Sequence, residues 1–168
     1  MMRVNILILM IVLPCLAFSA TLTVKQDGSG DYTIIQAAIE AANDGDTVLV
    51  HPGRYIENID YIGKSISVCS LEAIDGDSTY ISQTIIDGNR NGSCVAFRNA
   101  EQNASLRGFT LTNGTGYLTT DELTRGGGVL IRNSYMTWGS ISLTNCEITG
   151  NHAGMGAGIF SMNASLHL

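Results

Sequence analysis

Asp121, Glu122 and Arg125 place two carboxylates and a guanidinium in one short segment of the chain. These are groups that acid–base catalysis uses. Neighbouring residues seldom point into one pocket, whereas a catalytic carboxylate pair must face a common substrate position. We therefore predict that the segment 116–125 is a solvated loop inserted between two repeats. An insertion of this kind is also where a repeat protein would place a binding site.

A second stretch of polar residues, Asp87, Asn89 and Asn91 followed by Gly92, matches the first half of a calcium-binding loop. The twelfth position of that loop holds Arg98, where the pattern requires a bidentate glutamate. A turn between two strands would favour the same residue types at these positions. We predict a turn, with calcium as the minor alternative, and we predict no other metal, no cofactor and no catalytic residue.

The composition narrows the class of protein. The chain has 168 residues, with 9 Lys and Arg against 15 Asp and Glu, for a net charge of −6. This balance argues against a nucleic-acid partner. The 19 glycines and 2 prolines suit many short strands joined by tight turns rather than long helices.

The first twenty residues have the features of a signal peptide. Arg3 precedes an apolar run, Ile6 to Phe18, that ends in small residues and contains Pro14. The run is shorter than the roughly 20 residues that span a bilayer. We predict that residues 1–20 are cleaved on export, that the mature chain has no transmembrane span, and that the protein is secreted or lies in the cell envelope.

Three cysteines, Cys69, Cys94 and Cys146, would remain after cleavage. An odd number gives no complete disulfide framework. Each lies in an apolar setting, so we predict that they are small buried hydrophobic residues.

The helical signal in the mature chain lies at residues 33–43, where Ile35, Ala38, Ile39 and Ala42 recur at helical spacing. Thr33 and Gln36 match a capping box, and Gly45 follows as a stop signal. We predict that this is the sole helix of the mature chain. From Thr47 onward, short apolar runs separated by Gly, Asn, Asp or Ser predict a series of strands.

Two different segments repeat in the same order. The motif that begins at Gly126 recurs at Gly156, an offset of 30 residues. The motif that begins at Ser105 recurs at Ser142, an offset of 37 residues. A unit of this size without a helix predicts a solenoid of parallel strands. Its apolar side chains should stack between neighbouring coils, as Leu106 on Leu143, Leu111 on Ile148 and Phe109 on Cys146. The asparagines at the turns should form ladders (Asn99, Asn113, Asn133, Asn151 and Asn163).

The predicted organisation is a signal peptide at 1–20, a strand and capping helix at 21–46, and β-helix coils at 47–168. The helix would cover the first end of the array, which otherwise exposes an apolar cross-section. The sequence stops within a repeated strand motif, so we expect further β-helix coils after Leu168.

The stretch from Val24 to Asn58, with its glycine turn, helix, strand and Pro52-Gly53-Arg54-Tyr55-Ile56-Glu57 turn, resembles the start of pectin methylesterase-like right-handed parallel β-helices. From Thr84 onward the repeats look like those of bacterial secreted β-helix proteins. The resemblance implies an all-β, right-handed parallel β-helix with one N-terminal capping helix. It gives Tyr55 and Glu57 a structural role, seating the first strand against that helix.

The catalytic motifs of the esterase family are absent from this sequence. Asp87 is followed by Gly88 rather than an aromatic residue, and no arginine stands beside Trp138. The sequence therefore favours a non-catalytic repeat protein of the cell surface or extracellular space that presents a binding face, with polysaccharide or a cell-surface partner as the candidate ligand. The alternatives are the N-terminal part of a pectin lyase or pectin esterase type of enzyme, and a passive structural spacer.

Overall fold

The computed structural model describes residues 19–133 and 139–168. The predicted signal peptide lies, apart from its last two residues, outside this part of the chain. In the described residues, parallel strands form three sheets, and the strands are numbered here in chain order. Sheet A has six strands in the order β1 (Thr21–Val24), β2 (Thr47–Val50), β5 (Ser67–Ser70), β8 (Ala104–Arg107), β13 (Gly139–Thr144) and β16 (Ala164–His167).

The other two parallel sheets have four strands each. Sheet B has the order β3 (Gly53–Ile56), β6 (Thr84–Asp87), β9 (Thr110–Thr112) and β14 (Glu147–Ile148). Sheet C has the order β4 (Ile59–Asp60), β7 (Val95–Phe97), β12 (Val129–Arg132) and β15 (Ile159–Met162). From β2 onward the chain visits sheets A, B and C in rotation, and we call each such passage a coil.

The strand register reproduces the repeats found in the sequence. Val129 pairs with Ile159, which is the offset of 30, and Ser105 pairs with Ser142, which is the offset of 37. The expected mostly-β chain with parallel sheets is confirmed. The offsets differ because the loops between strands vary in length while the strands remain in register.

The core lies between the three sheets. Val48, Val68 and Leu106 are fully buried on successive strands of sheet A, and Leu106 pairs with Leu143 as predicted. The predicted pairing of Leu111 with Ile148 is also confirmed in sheet B. The ring of Tyr61, which follows β4, lies 4.2 Å from the ring of Phe97 in β7, measured between centroids. Successive side chains of a strand point to opposite faces of its sheet, which explains why one set of side chains fills this core.

Helix α1 (Ile35–Ala41) covers the first end of the sheets, in contact with β1, β2 and β4. Ile35, Ala38 and Ile39 are fully buried on its inner face. The predicted capping box of Thr33 and Gln36 is wrong, because the N-cap position is Ile34 and no side chain of the helix caps it. The carboxylate of Glu57 accepts the N–H groups of Ile35 and Gln36 instead, at 3.0 and 2.9 Å.

The prediction of a single helix is wrong. Two short helices, α2 (Glu72–Asp75) and α3 (Thr79–Gln83), lie between β5 and β6. Each is about one turn long, so no helical repeat of apolar residues marks them in the sequence. Tertiary contacts hold them, including the Thr110 hydroxyl, which donates to the Ile81 carbonyl at 2.8 Å.

Asparagine side chains join neighbouring coils at several turns, as predicted. The Asn133 amide donates to the Asn163 carbonyl and the Asn163 amide donates to the Asn133 carbonyl, at 3.2 and 3.0 Å. Asn151 accepts from the Gly114 N–H at 2.8 Å, and Asn113 donates to the Asp87 carboxylate at 3.1 Å. Asn99 contributes its backbone N–H, which binds Glu101.

Gly127 and Gly128 lie where coils approach closely. A Cβ on Gly128 would lie 2.7 Å from the carbonyl oxygen of Gly158 on the next coil. A Cβ on Gly127 would lie 2.8 Å from the carbonyl oxygen of His152. No larger residue fits these positions without moving the backbone.

Candidate functional site on the outer face of sheet C

The segment 116–125, predicted as a loop, folds as a small antiparallel hairpin. Its strands are β10 (Tyr117–Leu118) and β11 (Thr124–Arg125). The turn between them is closed by the N–H of Thr119, which donates to the Leu123 carbonyl at 3.0 Å, and Glu122 takes a positive φ of 64°. The strands are two residues long, too short to give an alternating pattern in the sequence.

The hairpin lies against the side of sheet C that faces away from the core. Val129 and Ile131 belong to the core, so the alternation of β12 turns Leu130 outward. Leu130 is nevertheless fully buried, although it is outside the core cluster. We call this surface, formed by the outward residues of sheet C and the hairpin, the outer face of sheet C.

The structure brings together two of the three candidate residues in the hairpin. The Arg125 guanidinium forms an ion pair with both carboxylate oxygens of Asp121, one of them at 2.8 Å from Nη1. The Thr119 hydroxyl also donates to Asp121, at 2.5 Å. Glu122 follows Asp121 in the exposed turn and shares none of these bonds. The expectation that adjacent carboxylates diverge is confirmed by this arrangement.

Two arginines on this face stand beside aromatic rings. The Arg98 guanidinium lies 5.1 Å from the centroid of the Tyr117 ring, and the Arg125 guanidinium lies 5.5 Å from that of Phe160. Both distances are within the range of cation–π attraction. Arg98 also forms an ion pair with Asp60 on the neighbouring strand β4, with Nε at 2.9 Å from the carboxylate. Sequence reasoning missed these pairs because the partners come from different coils.

A recess of about 280 Å³ opens on this face between the hairpin and the last strands of sheet C. We call it the sheet C recess. Its walls come from the hairpin (Thr119, Asp121 and Arg125) and from β12 and β15 (Arg132, Phe160 and Met162). It combines an aromatic ring and a thioether with hydroxyl, carboxylate and guanidinium groups. This mixture of apolar and polar lining is characteristic of small-ligand sites.

The segment that resembles a calcium loop is engaged by groups of the protein itself. The Asp87 carboxylate accepts from Arg54 Nε at 2.8 Å, from the Asn113 amide and from the backbone N–H of Asn89 at 2.9 Å. Burial raises the pKa of Asp87, but the bonds from Asn89, Arg54 and Asn113 outweigh it and lower the pKa overall. The guanidinium thus occupies the position where a cation would approach Asp87. A calcium ion would have to displace it.

A buried carboxylate that the sequence did not single out lies near the corner between sheets A and B. Glu72 accepts from Arg107 Nε at 2.8 Å and from the Asn145 amide at 2.7 Å, so it links three successive coils. The hydrogen bond from Arg107 is the main cause of a lowered pKa for Glu72. Glu72 and Asn145 are 73 positions apart in the sequence, and no local pattern connects them.

Cys69, Cys94 and Cys146 are all free thiols, the first two buried and the third partly buried. Burial raises the pKa of each, that of Cys94 to about 11. Within residues 19–133 and 139–168, no three His, Cys, Asp or Glu side chains converge closely enough to hold a metal ion. The helices of the same residues include none that is long and apolar enough to cross a membrane.

The fold has a counterpart among solved structures, although no protein-family model and no curated protein sequence matches the chain. A pectin methylesterase from carrot superposes with a TM-score of 0.55 and 20% sequence identity. The match covers 80% of this chain and 41% of the carrot enzyme, so this chain spans less than half the length of that structure. At this level of identity, the likeness shows a shared fold. That fold is the parallel β-helix expected from the resemblance of residues 24–58.

Proposed function

We propose that this protein is an exported, non-catalytic, right-handed parallel β-helix that presents the outer face of sheet C to a polysaccharide. The rotation of the chain through three parallel sheets supports a solenoid. Its handedness rests on the strong preference of parallel β crossovers for the right-handed form. Export rests on the signal-like composition of residues 1–20.

The observation that carries the proposed function is the hairpin on the outer face of sheet C. It brings Tyr117, which is 44% exposed, and Phe160 beside arginines at the surface. Apolar rings surrounded by a few fixed hydrogen-bonding groups suit ligands that are partly apolar and rich in hydroxyls. Sugars have both properties, since their ring faces carry C–H groups and their edges carry hydroxyls.

The state of two carboxylates argues against their acting as general acids. The bonds from Arg125 and Thr119 hold the pKa of Asp121 far below its ordinary value, and Arg107 lowers that of Glu72. A general acid must be protonated near the working pH, which requires a raised pKa. Asp121 and Glu72 are instead held as anions by the arginines beside them.

The likeness to the carrot pectin methylesterase favours a second candidate, the N-terminal part of a polysaccharide-active enzyme. That enzyme is named for action on the methyl esters of pectin. Because this chain spans 41% of its length, catalytic coils would lie outside the residues compared. The two candidates differ in turnover, which can be measured directly.

The test is affinity electrophoresis of the protein in gels containing different polysaccharides, with methanol release and new reducing ends assayed in the same samples. We expect retardation by at least one polysaccharide without either product. Tyr117→Ala should weaken that retardation about fivefold or more, given the contribution of aromatic contacts. Tyr80→Ala, in α3 and away from sheet C, is the matched control and should leave it unchanged. Product formation would favour the enzyme, and no retardation by any polysaccharide would overturn the proposal.

A further inference from the structure

We propose that the sheet C recess binds the anionic group of an acidic glycan, a carboxylate or a sulfate, through Arg132. This inference rests on the proposed function, since it names the chemical class of saccharide that the outer face of sheet C would select. Arg132 is the last residue of β12, is exposed, and lies next to Met162 in the register of sheet C.

Arg132 differs from the other arginines of sheet C and the hairpin in having no acidic partner. Arg98 is paired with Asp60 and Arg125 with Asp121. Among residues 19–133 and 139–168, no carboxylate or other polar group bonds to Arg132. Among those residues, all five donors of its guanidinium are therefore without a partner, which leaves them for a ligand.

The charge of the recess also points to an anion. Two guanidiniums, Arg125 and Arg132, and one carboxylate, Asp121, line it. Glu122 does not line the recess, so its described walls carry one net positive charge, in a chain whose net charge is −6. Asp121 and Thr119 already bond to the Arg125 guanidinium. The positive charge that lacks a partner in the recess is therefore that of Arg132.

The surroundings of Arg132 set the type of anion. A ligand that enters the recess covers the guanidinium while packing against Phe160 and Met162. Removing water from an unpaired charge is costly, so a neutral ligand would bind less well than one with an anion to pair with it. Guanidinium binds carboxylate and sulfate through two parallel hydrogen bonds. The volume of about 280 Å³ is at the lower limit of small-ligand pockets and suits one sugar unit.

The test compares charged and uncharged forms of the same polymers by affinity electrophoresis and calorimetry. The pairs are polygalacturonate with its methyl-esterified form, and dextran sulfate with dextran. We expect at least one charged polymer to bind about tenfold more tightly than its uncharged form. Arg132→Gln should remove that difference, a loss of about tenfold, because a hydrogen-bonded charge pair is lost. Arg132→Lys should retain part of it, since the charge remains without the two-pronged geometry.

Arg90→Gln is the matched control. Arg90 is exposed, bonds to no carboxylate in the described residues, and lies at the turn after β6, outside the recess. It should change affinity less than twofold. An equal loss in both variants would show a non-specific charge effect and overturn the inference.

The remaining outcomes separate this inference from the proposed function. Equal binding of charged and uncharged polymers, unchanged by Arg132→Gln, would overturn the inference and leave saccharide binding intact. No binding of any polymer would overturn both. Binding of polygalacturonate alone would identify the anion as a carboxylate, and binding of dextran sulfate alone would identify it as a sulfate. Each of those two results would support the inference.

Discussion

Ion pairs between arginines and carboxylates join strands that lie next to each other in a sheet. Arg54 of β3 binds Asp87 of β6, and Arg98, which follows β7, binds Asp60 of β4. In a parallel sheet, residues at equivalent positions of successive coils lie directly above one another. A single basic residue can therefore bind an acidic residue of the neighbouring coil. Such residues hold the register of the coils in addition to the apolar core.

Glu72 provides a test of this role at the level of one residue. The hydrogen bond from Arg107 lowers the pKa of Glu72 in the folded protein. The ionised carboxylate therefore contributes fully to the free energy of unfolding above the ordinary glutamate pKa of about 4.3. This contribution is lost as the pH falls through the lower pKa of the folded state. Glu72→Gln should reduce the free energy of unfolding at pH 7 by about 1 to 2 kcal/mol, a figure discounted for the partial exposure of Arg107.

Urea unfolding of the protein and of Glu72→Gln from pH 7 to pH 3 measures this effect. The difference between them should shrink as the pH falls. A difference that stayed constant over this range would show that the charge of Glu72 does not stabilise the fold. Glu40→Gln, on the exposed side of α1, is the control and should change stability little at any pH.

Thr84 gives a second prediction at this scale. Its side-chain hydroxyl is buried, and it has no hydrogen-bond partner among the described residues. Thr84→Val replaces the hydroxyl with a methyl group of similar size, so the free energy of unfolding should rise by about 1 kcal/mol. Thr110→Val, which removes the bond to Ile81, should lower it, and thermal unfolding measures both. A destabilised Thr84→Val would mean that the hydroxyl is bound in solution.

At the residue scale, the repeats predicted the apolar pairs between coils, such as Leu106 with Leu143, but not the polar pairs. Asp121 and Arg125 are four positions apart, and their ion pair forms within one hairpin. Glu72 and Arg107 are 35 positions apart, so they meet only because two coils are in register. The proposed role of Arg132 depends on its having no partner among the described residues, which a sequence does not reveal.

At the scale of elements, the attachment of α1 illustrates how a turn and a helix depend on each other. Glu57, in the turn after β3, accepts the N–H groups of Ile35 and Gln36, and Lys64 Nζ donates to carbonyls at the other end of the helix, including Ala42. Both ends of this seven-residue helix are therefore bound by side chains from the coil that it covers.

Glu57→Ala should lower the free energy of unfolding by about 1 kcal/mol, because a helix cap is lost. The loss of such a cap costs at most about 2 kcal/mol. Circular dichroism during urea unfolding measures this change. Glu57→Gln, which keeps one acceptor, should lose less. Equal stability of Glu57→Ala and the unchanged protein would show that the carboxylate does not cap the helix.

The strand periodicity and the repeats predicted most of the sheets, since identical spacing on successive coils requires identical register. The apolar residues of 105–111 are divided between β8 and β9, because Gly108 turns with a φ of 82° and packs against Ser70 and Glu72. α2, α3 and the hairpin lie in insertions that interrupt the repeat. Tertiary contacts determine their structure, so the sequence pattern gave no sign of them.

At the scale of the whole molecule, the two ends of the sheets differ. α1 covers the first end, whereas β14, β15 and β16 each have one edge without a strand partner among the described residues. Ile148, Ile159 and Leu166 are only partly buried there. Unpaired strand edges beside apolar residues favour association.

A polypeptide of residues 19–168 should therefore associate with increasing concentration, as measured by light scattering after size exclusion. Leu166→Lys places a charge at this edge and should reduce association, while Leu118→Lys, in the exposed hairpin, should not. A monomer that persists at high concentration would show that this end does not self-associate.

Hydrogen–deuterium exchange with and without bound polymer would locate the surface of the protein that a polysaccharide covers. We expect slower exchange in peptides covering residues 117–125, 129–132 and 159–162. Exchange in the strands of sheets A and B should not change. Slower exchange confined to sheet A or B, or none anywhere under saturating polymer, would contradict the account.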